Sequence, residues 1–248
     1  MLWIEIPISP KLKIRLILSD NQPSQPLPEP ARVILVDKPL GWTSFQAVKK
    51  VKYGIKAKKI GHAGTLDPLA TGLLIICTGK MTKQIDGIQA QTKEYTGTIV
   101  LGASTPSIDL ETAIDTTYPT EHITEALIYE AALAFTGEVT QTPPLYSAVK
   151  IDGKRAYEIA RKGGEAEIKS RQVQVYEFEI TQIEMPNVHF RIACSKGTYI
   201  RSMARDFGLH LGSGAYLTNL RRTKIGDYRV EDALHPQDIA VVAPAEGK

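Results

Sequence analysis

The stretches "RQVQVYEFEITQIE" (residues 171–184) and "NVHFRIACS" (residues 187–195) decide the fold class. In both, apolar and polar residues alternate with a period of two, the pattern of strands with one face in a core. They meet near Pro186 and Asn187, so they read as paired antiparallel strands. Upstream, "TEHITEALIYEAALAFTG" (120–137) has helical spacing and a glycine stop at Gly137. Downstream, "TYIRSMARDFGLHLG" (198–212) is helical and again closed by glycine. Further out, "RVILVDKP" (32–39), "GLLIICTG" (72–79) and "EYTGTIVLG" (94–102) read as strands. "SFQAVKKVKYGI" (44–55) reads as a helix with Thr43 or Ser44 as N-cap. Strands and helices mix without a regular βαβ repeat. The expectation is an α+β fold, a mixed and largely antiparallel sheet flanked by helices.

The chain has 248 residues, 43% hydrophobic and 23% charged, which suits a globular protein with a real core. A net charge of +3 does not by itself establish a polyanionic partner. Cys77 and Cys194 lie far apart in apolar surroundings and read as buried thiols of a reducing compartment. The opening "MLWIEIPISPKLKIRLILSD" is interrupted by Glu5, Lys11, Lys13 and Arg15 and matches neither a signal peptide nor a membrane span. A cytoplasmic protein without membrane attachment is expected. "NQPSQPLPEP" (21–30) holds four prolines and reads as an extended linker.

Chemistry concentrates in "KIGHAGTLDPLATGLLIICTGKMTK" (59–83), which sets one carboxylate, Asp67, among four glycines and four threonines. It is not a phosphate loop: "GLLIICTGKM" has the wrong glycine spacing, and Met81 stands where a hydroxyl would hold magnesium. The five histidines (62, 122, 189, 210, 235) are scattered, and no Cys or His pair has ligand spacing, so no metal site is expected. No serine sits in a nucleophile elbow. What remains is a candidate catalytic carboxylate that needs no metal. Its glycines would allow a tight turn approachable by a nucleotide backbone, with Pro68 stiffening the chain after it.

Other features point to RNA. Six lysines fall between Lys49 and Lys59, and "LRRTK" (220–224) forms a second basic group. A lysine run is as often a plain solvated helix face. Tyr95, Tyr146 and Tyr199 stand in polar or turn-rich settings, where flat rings could receive unstacked bases.

"GHAGTLDPLATGLLIICTGKMTK", "KEYTGTIVLG", "QTPPLYSAVKIDGKRAYEIARKG" and "CSKGTYIRSMARDFGLHLGSGAYLTNLRRTKIG" occur in that order, and the chain they span resembles the TruB-type tRNA pseudouridine synthases. The resemblance implies a pseudouridine synthase fold and isomerisation of a uridine in the T loop of tRNA (tRNA position 55). It implies no cofactor and no protein partner, and a monomer is expected. Asp67 takes the place of the nucleophile, whether it attacks C1′ or C6 or removes a proton from C2′. Arg201 matches the arginine that pairs with it, orients it and keeps it charged. Tyr95 matches the ring that stacks on the uracil and a candidate for moving the C5 proton. Tyr199 matches a second pocket aromatic, Leu220 an apolar wall, His62 a residue that holds the T loop, and Asp109 a polar pocket residue. Lys56, Lys58, Lys59, Arg221 and Arg222 are the candidates for contact with the RNA backbone.

Departures from the family pattern lie in "STPSIDLET" (104–112), where Ser107 replaces a usual Thr and Thr112 a frequent Gly. Residues 1–30 read as an N-terminal extension and linker, 31–230 as the catalytic domain, and 231–248 as a short tail with a possible last helix near "PQDIAVV". The tail is too short for the complete RNA-binding PUA domain that many relatives append. The competing reading is a catalytically weak tRNA-binding or tRNA-folding factor on the same fold; a nucleoside hydrolase would need a second carboxylate.

Overall fold

The computed structural model describes residues 31–151 and 153–239. The extension and linker at 1–30 and the end of the tail, 240–248, lie outside the described residues. In chain order the elements are β1 (Val33–Lys38), α1 (Ser44–Gly54), β2 (Ile60–Ala63), β3 (Ala70–Thr78), α2 (Ile85–Ala90), β4 (Lys93–Leu101), β5 (Ala103–Ser104) and β6 (Thr116–Thr117). They continue with α3 (Glu125–Ala134), β7 (Gly137–Gln141), β8 (Lys150–Ile151), β9 (Lys154–Arg155), α4 (Ala156–Ala160), β10 (Arg171–Glu184), β11 (Asn187–Cys194), α5 (Ile200–His210), β12 (Ala215–Ile225) and β13 (Tyr228–Arg229).

The main sheet runs β1-β3-β12-β4-β11-β10-β7, with β2 on β3 and β13 on β12. Among the described strands every pairing in it is antiparallel except one: β12 runs parallel to β3, with Leu220 opposite Ala70 and Arg222 opposite Gly72. The β10–β11 hairpin pairs as its alternation requires, Phe178 with Ile192 and Ile180 with Phe190.

One face of the sheet packs on α3 and α5, where Phe178, Phe190, Met203 and Phe207 form the largest core. Phe178 meets Phe207 at 5.4 Å between ring centroids and Phe190 edge-on at 6.1 Å. Strand β3 explains the unbroken apolar run "LLIIC". Leu74 and Ile76 pack on Ala47, Val48 and Val51 of α1, while Leu73, Ile75 and Cys77 pack towards Ile88 of α2. Both faces are covered, so alternation disappears. Each such aliphatic side chain contributes about 2 kcal/mol by leaving water.

Of the two N-cap candidates for α1, Thr43 fills the position. Its hydroxyl accepts from Gln46 N at 3.1 Å, and Gln46 Oε1 accepts from Thr43 N at 2.7 Å, a complete capping box. Helical spacing from 120 overreaches: α3 starts only after Thr124, whose hydroxyl accepts from Leu127 N. β12 has no alternation to betray it, because it lies in the middle of the sheet with polar residues at 218, 219 and 221–224. Past residue 230 the chain stays packed on β1: Asp37 N donates to Leu234 O and Leu234 N to Leu35 O. Residues 236–238 form a turn rather than the start of a helix; the remainder of "PQDIAVV" from residue 240 lies outside the described residues.

The parallel β3–β12 contact depends on Gly72, which sits at φ +100° with the β12 backbone against it. A Cβ there would lie 2.3 Å from the carbonyl oxygen of Arg222. The close approach that this glycine permits is therefore by the protein's own strand rather than by a nucleotide. Gly72→Ala is expected to lower stability by roughly 2–4 kcal/mol, from left-handed-region strain plus overpacking. Gly163→Ala, at φ +73° with open space around it, should cost only about 1 kcal/mol. Urea unfolding midpoints of the two variants check the difference.

Candidate active site

Asp67 stands in the connection between β2 and β3, and the β1–α1 turn holds that connection in place. Ser44, freed from capping, donates from Oγ to Leu66 O at 3.0 Å and accepts from Leu66 N at 2.8 Å. Gly41 N donates to Pro68 O at 2.9 Å. Lys38, with no exposed surface, donates from Nζ to Trp42 O, Pro39 O and Pro68 O. Ala70 N closes the turn on Asp67 O at 3.1 Å. The backbone on both sides of Asp67 is thus fixed while its side chain stays 40% exposed.

Arg201 enters from the first turn of α5, its side chain only 5% exposed. Nε donates to Asp67 Oδ2 at 2.9 Å, Nη1 to Ser107 O at 2.9 Å and Nη2 to Tyr146 O at 2.7 Å. Asp109 Oδ2 lies 3.8 Å from Nε. The substituted loop 105–112 closes on itself: the Ser107 and Thr112 hydroxyls meet at 2.8 Å, and each accepts the other residue's backbone N–H at 3.1 Å. The two residues that depart from the family pattern thus hold each other, and the Ser107 carbonyl beside them accepts from Arg201.

A cavity of about 330 Å³ opens in front of this pair. Asp67, Tyr95, Tyr199, Arg201 and Leu220 all line it. Tyr95, buried in β4, pairs across the sheet with Arg222. Burial pushes its hydroxyl up, with the Arg222 guanidinium opposing in part. It holds its proton at neutral pH, which suits a ring platform or hydrogen-bond donor better than a standing base. Tyr199 is held at the backbone by buried Gln141, whose amide accepts from Tyr199 N at 2.7 Å and donates to Tyr199 O at 3.0 Å. Arg171 covers its ring, with Cζ 4.9 Å from the centroid.

Other expected residues fall elsewhere. Asp109 lies outside the cavity wall, in a small recess that Asp67, Arg201 and Leu220 also line. His62 lies on β2, beyond the residues lining the cavity, and its buried Nδ1 meets no hydrogen-bond partner of good geometry among the described residues. Burial and Arg222 lower its pKa and keep the ring neutral. Lys56, Lys58 and Lys59 are exposed, on the connection after α1. Arg221 is forked onto Asp37 at 2.7 and 3.0 Å. Arg222 is 1% exposed and donates to Leu73 O and Gly64 O, so it cannot meet an RNA backbone at the surface. A basic pair read from sequence does not distinguish a surface arginine from one that spans a sheet. Lys38, Ser44, Lys93 and Gln141 were not visible as site residues. Only Ser44, the second hydroxyl beside an N-cap, carries a local signal of a further task.

A family model for the TruB family pseudouridylate synthase N-terminal domain matches residues 51–200. The chain belongs to the TruB family of pseudouridylate synthases. It is 61% identical over 210 residues to the tRNA pseudouridine synthase B of Flavobacterium johnsoniae, covering 82% of this chain and 92% of that protein. The synthase B of Phocaeicola vulgatus is 55% identical, with 82% and 88% covered. Among solved structures, a Cbf5-Nop10-Gar1 complex aligns with a TM-score of 0.61 at 34% identity over 79% of this chain. An H/ACA RNP bound to a substrate RNA containing 2′-deoxyuridine aligns with the same TM-score at 29% identity over 83%. This chain spans about half the length of those two, 49% and 51%. Within the TruB-family match lie Asp67, Tyr95 and Tyr199; Arg201, Leu220 and Arg222 follow it.

Lys38 gives this TruB-family chain a pH signature. Burial, opposed by Asp67, lowers its pKa from 10.5 to about 8. Between those values the unfolded chain binds more protons than the folded one, so the contribution of Lys38 to stability rises with pH across that window. Below about pH 8 both states are protonated and the cost of the buried charge is complete. The urea midpoint of the native protein relative to that of Lys38→Met should therefore rise from about pH 7.5 to about pH 10. A difference that stays constant would contradict the assignment.

Proposed function

We propose that the protein isomerises a uridine in the T loop of tRNA (tRNA position 55) to pseudouridine, with Asp67 as the nucleophile and no cofactor. The observation that carries this reading is the Asp67–Arg201 pair facing a cavity that Tyr95 also lines. Family membership supports the reaction class, and the names of the relatives support tRNA as substrate. Asp67 bonds to C1′ or C6, or takes the C2′ proton, as the N1–C1′ bond breaks with its electrons going to N1. Asp67 gives that bond or proton back when C5 bonds to C1′. The uracil turns, C5 bonds to C1′, the C5 proton leaves and N1 takes one up. Nothing is oxidised and no outside group is added, so side chains suffice.

Arg201 orients Asp67 and balances its charge in a partly dry site. Tyr95 offers its ring to the uracil, with Tyr199 and Leu220 as walls and Asp109 behind Arg201. His62 supports the loop from which the base has left. Extracting the uridine costs a few kcal/mol of unstacking, so these contacts matter beside the nucleophile. The reading takes residues 31–230 as the catalytic domain, acting as a cytoplasmic monomer.

Asp67→Asn keeps the shape of the side chain but removes its charge and nucleophilicity. Turnover on an unmodified tRNA transcript should vanish while tRNA affinity stays within about twofold. Arg201→Lys should also be severe, because an ammonium cannot reach Asp67, Ser107 O and Tyr146 O together. Mapping pseudouridine in the transcript reads both, and sustained turnover by Asp67→Asn would remove it from the nucleophile role.

The exposed lysines after α1 make a separate prediction. Each phosphate contact contributes about 0.7–0.9 to the slope of log affinity against log salt. Replacing Lys56, Lys58 and Lys59 together with Gln should lower that slope by about two and raise KM. Single-turnover chemistry at saturating RNA should persist. An unchanged slope would make this face a solvated surface only.

A further inference from the structure

The charges around the cavity do not balance. Its wall includes one carboxylate, Asp67, and five cations: Lys93, Arg171, Lys196, Arg201 and Arg222. Arg201 answers Asp67, and Arg222 is spent on backbone carbonyls and Tyr95. Among the described residues, no ion pair with a carboxylate involves Lys93, Arg171 or Lys196. A neutral uracil ring calls for none of these three charges.

They are also grouped. Lys93 opens β4 and pairs with Cys194 at the end of β11, two residues before Lys196. Lys196 lies close enough for its charge to oppose protonation of Lys93, whose pKa burial lowers to about 8. Two of the three donors of the Lys93 ammonium go to Gln89 O and Gln91 O. Arg171 reaches the same turn, donating to Gly197 O while stacked on Tyr199. The adjoining start of α5 has no side-chain cap, so its first-turn N–H groups add positive potential. Like charges held together beside a cavity disfavour one another's charged forms, and an anion bound among them relieves that cost.

We infer that Arg171 and Lys196, backed by Lys93, seat a backbone phosphate of the bound uridine nucleotide and so fix the ribose against Asp67. The inference rests on the RNA-isomerase reading above and adds a binding subsite to it. The ligand chemistry is a phosphodiester monoanion, on either the 5′ or the 3′ side of the target. Arg171 is suited to a forked contact and is held in place by Tyr199 and Gly197; Lys196 supplies a mobile point charge. The subsite differs from the lysines after α1 in touching the reacting nucleotide itself.

The test uses three tRNA stem-loop substrates with the native protein. One has an uncharged methylphosphonate on the 5′ side of the target uridine, one on the 3′ side, and one in the stem away from the target. Loss of a charged hydrogen bond should raise KM by about tenfold for one of the two target-side linkages, with the stem linkage nearly silent. Lys196→Gln and Arg171→Gln should each raise KM on all-phosphate RNA. Each should add little further loss on the sensitive methylphosphonate RNA, because the contact is already gone. Lys196→Arg should restore most of the loss, which a purely structural role would not explain. Indifference to both target-side linkages overturns the subsite and leaves the isomerase reading intact, as do fully additive losses in both variants. Absence of pseudouridine from all-phosphate RNA overturns the isomerase reading and the subsite with it.

Discussion

The guanidinium of Arg201 is the interaction on which the site depends. It joins the Asp67 loop, the Ser107 loop and the segment at Tyr146, the first of these 134 residues away in sequence. A charge this deeply buried is tolerated only when every donor finds an acceptor, and breaking one partner leaves the rest uncompensated. The three loops therefore hold each other through one side chain. Asp67 remains exposed enough to meet a substrate, while its orientation is set from the protein side.

The second constraint is the single parallel pairing in an antiparallel sheet. β12 returns between β3 and β4, which brings Leu220 and Arg222 beside the start of β3, directly after the Asp67 turn. Only a glycine at 72 lets the two backbones come that close. Arg222 then crosses the sheet to hold Gly64 O and Leu73 O and to stand beside Tyr95. The same strand that closes the sheet thus builds a wall of the cavity, and packing and function share their residues here.

Electrostatics complete the picture. The protein carries a net charge of only +3, yet five cations and one carboxylate surround the cavity. Positive charge is concentrated where low dielectric makes it act most strongly, at the cost of a lowered pKa for Lys93. A bulk charge count hides this arrangement because acids elsewhere, such as the Glu94, Glu177 and Glu179 group around Arg191, offset it.

Much was legible in the chain alone. Period-two alternation in β10 and β11 identified an antiparallel hairpin, because each strand has one buried face and side chains must follow the pleat. The glycine-rich surroundings singled out Asp67, because unusual backbone around a lone carboxylate leaves a local trace. β12 left none: its strand character comes from neighbours on both sides, and its buried arginine mimics a surface one. Nor could spacing reveal that Ser44 clamps Leu66 or that Lys38 holds Pro68. Those contacts join segments 22 and 30 residues apart, and a residue's local pattern carries no information about a partner that only folding brings into hydrogen-bond range.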